Sequence, residues 1–91
     1  MSSEHLQQEL QRIAQVRFAV GVLPRCSPRA TYAGFGDGKH CSLCNRKIPQ
    51  QEVEYEVECD PGEGKQALLR FHVLCHEIWQ EECSKRADEE R

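Results

Sequence analysis

Cys41-Ser42-Leu43-Cys44 and His72-Val73-Leu74-Cys75 decide how this chain folds. They are a C-x2-C pair and an H-x2-C pair, separated by residues 45–71. Three thiolates and one imidazole fill the tetrahedral shell of a structural Zn²⁺ site, so Cys41, Cys44, His72 and Cys75 are expected to hold one zinc per chain. The first pair follows a glycine-rich loop. The second opens a helical stretch, where residues three apart point to the same side. The start of that helix also brings positive partial charge near the thiolates.

Between the pairs the pattern has period two. Val53, Tyr55, Val57 and Cys59 alternate with Glu52, Glu54, Glu56 and Glu58, which reads as a half-buried strand with an acidic outer face. Asp60-Pro61-Gly62-Glu63-Gly64-Lys65 is a turn by composition. Ala67, Leu69 and Phe71 alternate with Leu68 and Arg70, so a second strand closes a hairpin. Helix is expected from His72 to near Lys85, with Arg86 to Arg91 as a fraying charged tail. Phe71, Leu74, Ile78 and Trp79 are expected in the core.

In this order of loop, hairpin and helix, two motifs resemble the treble-clef zinc fingers. They are Cys41-Ser42-Leu43-Cys44-Asn45-Arg46-Lys47-Ile48-Pro49 and Leu69-Arg70-Phe71-His72-Val73-Leu74-Cys75. The resemblance spans residues 39–83. The long gap and the H-x2-C pair are similar to those of poly(ADP-ribose) polymerase-type and LIM-type modules. It implies a knuckle that gives two ligands, a helix whose first turn gives two more, and a structural zinc without a defined activity. The chain departs from the polymerase-type finger, which meets DNA breaks through a basic, partly apolar face. Here hairpin and helix carry an acidic excess.

Other residues compete for the ligand positions. His40 adjoins Cys41, and neighbouring residues bind one metal awkwardly. His76 adjoins Cys75, so His72 is preferred on spacing. Cys59 is the main rival, although its place on an apolar strand face suits a small core residue. Cys83 lies about 12 Å beyond Cys75 along a helix axis and cannot share the site. Cys26, Cys59 and Cys83 are read as free thiols.

Upstream, residues 3–20 read as an amphipathic helix capped by Ser3, with Leu6, Leu10, Ile13, Val16 and Val20 as its apolar stripe. Gly21 and Pro24 end it. A helix this short is marginal alone and must dock, on its own module or on a second copy. The expected organisation is an N-terminal helix (1–21), a linker (22–38), a small α+β treble-clef domain (39–86) and a charged tail (87–91). The glycine-rich run from Gly34 to Gly38 is read as a flexible entry to the loop.

The 91 residues carry 38% hydrophobic and 30% charged residues, so the core is small and a metal staple is expected. No apolar run spans a bilayer, and the N-terminus lacks the pattern of a signal peptide. Both point to a cytoplasmic, reducing setting, in which cysteines are metal ligands or free thiols; a secreted six-cysteine disulfide scaffold is the alternative. The net charge of −3 combines a basic first half with an acidic second half. No phosphate loop, G-x-S-x-G, H-E-x-x-H or zinc-deaminase pattern occurs, and a closed shell leaves zinc no open position. The expected role is therefore non-enzymatic: a zinc-stabilised protein-interaction adaptor or regulator. It would be a monomer, or a weak homodimer through the N-terminal helix. The alternative is a nucleic-acid binder using Arg12, Arg17, Arg25, Arg29, Lys39, Arg46 and Lys47. Few aromatics interleave with that set for base stacking.

Overall fold

A computed structural model describes residues 3–24, 28–62 and 65–89 of the chain. The elements run α1 (Ser3–Ala19), β1 (Pro28–Phe35), β2 (Val53–Gly62), β3 (Lys65–His72) and α2 (Val73–Glu89). The strands form one antiparallel sheet in the order β1-β2-β3. The result is a small α+β domain.

The hairpin follows from the alternation. Val57, Leu69 and Phe71 turn to one side of the sheet and are buried, and Ile78 and Trp79 of α2 pack among them. Trp79 is the centre of this core at 1% exposure. Its ring stacks on Phe71 at 5.1 Å, and its Nε1–H donates to the Pro24 carbonyl at 3.2 Å. Leu43 and Ile48 of the intervening loop are fully enclosed in the same cluster. β2 runs on to Gly62, across residues read as turn, with a register irregularity between Cys59 and Gly62. Glu63 and Gly64 lie outside the described residues. α2 also outlasts its expected end and continues to Glu89, into the segment read as a tail.

α1 packs against α2. Its buried residues are Leu10, Ala14 and Phe18, with Leu6 and Ile13 partly covered. Val16 and Val20, expected in the stripe, are 57% and 66% exposed. Val16 lies about 120° around the helix from Leu10 at 100° per residue, so it clears the contact. Phe18 instead continues the i, i+4 row through Leu10 and Ala14. Val20 follows the last helical residue, where Gly21 at φ 79° turns the chain. Phe18→Ala is expected to cost about 3–5 kcal/mol, the usual range for a buried phenylalanine. Val16→Ala should move the urea midpoint little. Equal effects of the two substitutions would contradict this docking.

The segment read as linker carries β1. Its signal is weak in sequence because no helix covers the strand: α2 packs on β2 and β3, and nearly all of β1 is exposed. Gly36 is likewise more than a flexible entry. A Cβ there would lie 2.5 Å from the carbonyl oxygens of both Ile48 and Pro49. Only glycine allows that approach.

The acidic outer face of β2 also differs from expectation, since Glu54 is only 4% exposed. Arg70 Nε sits 3.8 Å from Glu54 Oε1 and 3.9 Å from Glu56 Oε1, too far for good hydrogen bonds. Burial, then the charges of Asp37 and Glu56, push the Glu54 pKa above its ordinary 4.5, against the pull of Arg70. A carboxyl with a raised folded pKa favours the fold fully below its unfolded pKa. That contribution is lost as pH rises through the folded value. Glu54→Gln is therefore expected to gain stability, relative to the parent chain, between about pH 4.5 and pH 7. Urea midpoints of both chains at the two pH values test this; a parallel pH dependence would contradict it.

Candidate metal centre

Local backbone hydrogen bonds build the first half of the site. The Asn45 N–H donates to the Cys41 carbonyl at 3.0 Å, and the Cys41 N–H to the Arg46 carbonyl at 2.8 Å. Asn45 takes the left-handed conformation at φ 64°, which asparagine tolerates better than most residues. The flanks pair through a bridge between His40 and Lys47 and an Ile48 N–H to Lys39 carbonyl bond of 2.8 Å. The tight loop thus presents Cys41 and Cys44 together.

A two-way clamp holds this loop against the sheet. The Ser42 N–H donates to the Arg70 carbonyl at 2.6 Å, and the Arg70 N–H donates to Ser42 Oγ at 3.0 Å. Arg70 is two residues before His72, so the clamp sets the loop beside the β3–α2 junction. His72 is the last residue of β3 rather than the first of the helix, and Cys75 lies in the first turn of α2.

The structure brings Cys41, Cys44, His72 and Cys75 together, with one ligand atom of each within 4.8 Å of all the others. Cys41 and Cys75 are buried, while Cys44 and His72 are partly open. His72 Nδ1 lies 3.5 Å from Cys44 Sγ and 3.8 Å from Cys75 Sγ. On the far side of the ring, Nε2 is 3.2 Å from the Lys47 carbonyl and 3.9 Å from the Glu52 carboxylate. A carbonyl can only accept, so Nε2 carries the proton and Nδ1 turns its lone pair toward the thiols. Metal-bound histidines are held in this way by their outer partners.

The three thiols hydrogen-bond to one another. Hydrogen bonds from Cys44 and then Cys75, which outweigh burial, pull the Cys41 pKa far down. The same bonds to Cys41, with burial, push Cys44 and Cys75 up. Three thiolates packed this closely repel one another, so holding them together needs a cation. This donor set fits one metal ion with a structural role, and its four residues would be the ligands. A bound ion there supplies the charge that lets all three sulfurs ionise.

The competing residues are placed elsewhere. His40 is exposed and outside the cluster. His76 is buried against Tyr55, ring on ring at 4.6 Å, and burial lowers its pKa. Cys83 is half-buried beside the core and outside the cluster. Cys59 is 1% exposed, as a core residue should be, but it is disulfide-bonded rather than a free thiol. Cys26 lies outside the described residues. Disulfides persist in oxidising surroundings, so Cys59 removes one support for a reducing compartment. No helix among the described residues is long and apolar enough to cross a membrane. The Ser42–Arg70 clamp and the Lys47 carbonyl escaped sequence reading, because a backbone acceptor leaves no mark in residue identity.

The fold and the site define a small α+β domain with a candidate Cys3His metal centre. No family model, curated protein or solved structure matches the chain.

Proposed function

We propose that the chain is a zinc-stabilised treble-clef module that binds a protein partner as an adaptor or regulator and catalyses no reaction. One observation carries this reading: four protein donors converge on a single point. A zinc held by all four has no position left for water or substrate, so it stabilises a fold and activates no nucleophile. The metal-bound loop then works as a scaffold for the surfaces around it.

The runner-up is nucleic-acid binding through the basic residues. Arg12, Arg29, Lys39, Arg46 and Lys47 are exposed. Arg46 and Lys47, however, share a groove of about 510 Å³ with Glu9 and Glu52, and Lys39 is paired with Asp37 at 3.6 Å. Interleaved carboxylates oppose phosphate binding, which favours the protein partner.

Two assays separate the readings. In a pull-down with the zinc-loaded chain beside Cys41→Ser, partners should be captured by the folded chain alone. A mobility-shift series with single- and double-stranded nucleic acid should show no complex at about 0.15 M salt. A salt-sensitive shift that disappears in Lys47→Glu would overturn the adaptor reading.

A further inference from the structure

β1 is an open sheet edge, and its neighbours show how unusual that is in this molecule. The opposite edge, on β3, is capped where Ser42 bonds both backbone groups of Arg70. The apolar row of α1 is already spent on α2. Among the described residues no backbone group pairs with the outer edge of β1. That edge displays Tyr32 at 54% and Phe35 at 76% exposure. Unpaired edges of this kind are templates for another strand, and proteins usually blunt them with charge. Residues 30–35, Ala-Thr-Tyr-Ala-Gly-Phe, hold no charged side chain.

The hydrogen-bond phase of the edge can be read directly. The Gly36 N–H donates to the Glu52 carbonyl at 2.9 Å, and Phe35 stands opposite Val53. Along an antiparallel pair, bonded and non-bonded positions alternate. Gly34 and Tyr32 therefore bond inward to β2, while Phe35, Ala33 and Thr31 point their N–H and C=O groups outward. The ladder shifts between Pro28 and Ala30, so the regular outward stretch begins at Thr31.

We propose that two copies of this chain pair antiparallel along β1, with Ala33 on the two-fold axis, merging two three-stranded sheets into one. Thr31 of each copy then exchanges backbone bonds with Phe35 of the other, and Ala33 with Ala33. The small Ala33 side chains meet on the axis without collision. Tyr32 falls across from Gly34, an arrangement in which an aromatic ring covers a bare strand glycine. Charge fits as well. Arg29 and Asp37 flank the stretch at opposite ends, both exposed, so the antiparallel arrangement brings the Arg29 end of each copy to the end of the other where Asp37 meets Lys39. An interface of one strand pair is small, so the dimer is weak and concentration-dependent. An extended segment of another protein could meet the same outward groups, but the matched phase and the opposite charges at the two ends favour a second copy.

The test uses the full metal-loaded chain. Sedimentation from about 10 µM to about 1 mM should show reversible monomer and dimer. Over the same range, amide exchange at Thr31, Ala33 and Phe35 should slow roughly tenfold, while Tyr32 and Gly34 stay protected throughout. Ala33→Pro removes one outward N–H, a change that edge strands accept, and should leave a folded monomer. Ala33→Lys sets like charges face to face on the axis and should do the same, which guards against a folding defect in the proline variant. A monomer over the whole range would overturn the proposal. A dimer that both variants leave intact, or one abolished only by Val16→Glu, would overturn it too. Protection of the three amides only on adding another protein would assign the edge to that partner instead.

Discussion

Stripping the metal from Cys41, Cys44, His72 and Cys75 is expected to unfold residues 39–85. Structural zinc contributes about 10–16 kcal/mol in apparent terms near neutral pH, as much as the whole stability of a typical domain. The fold shows why the loss would spread. Leu43 and Ile48 are fully buried, and outside the metal centre their loop is tied to β3, among the described residues, by the Ser42–Arg70 clamp. Releasing the ion leaves three crowded thiols, and protonation or repulsion opens the loop. The core that holds Phe71 and Trp79 then loses Leu43 and Ile48. The check is an amide spectrum before and after chelation. Collapse of dispersion across residues 53–59 is expected, and retained dispersion there would contradict the account.

Substitution of any one ligand is expected to reproduce that loss. Cys41→Ser, Cys44→Ser, Cys75→Ser and His72→Ala each remove a donor and should abolish metal binding at stoichiometric concentrations. The neighbouring candidates should part company with them. His76→Ala and Cys83→Ser should keep the metal, since His76 packs on Tyr55 and Cys83 lies outside the cluster. Cys59→Ser should also keep the metal while costing about 2–5 kcal/mol through its disulfide. Metal content measured across this set tests the assignment. Retention in His72→Ala with loss in His76→Ala would name a different fourth ligand.

The convergence of Cys41, Cys44, His72 and Cys75 was legible because metal-ligating residue types recur there at fixed spacing. The hairpin was legible because Tyr55, Val57 and Cys59 alternate about a covered face, although Val53, expected in the same row, is 40% exposed at the start of the strand. α1 was legible as a helix but not in its contact row, since Val16 and Val20 are as apolar as Phe18. Only the position of α2 selects among them. β1 left no period because α2 never reaches it. The charges felt by buried Glu54 come from Asp37 and Arg70, distant in sequence, and the narrow gap at Gly36 is set by carbonyls of Ile48 and Pro49. These are tertiary facts that a local pattern does not contain. The strand face of Cys59 explains its burial but not its disulfide bond.

The most direct test of the central claim is the metal content of the purified chain, by elemental analysis joined to native mass spectrometry. One closed Cys3His set predicts one zinc per chain, bound with release of the thiol protons. A chain folded without metal, or one carrying two zincs or a coloured iron centre, would contradict it.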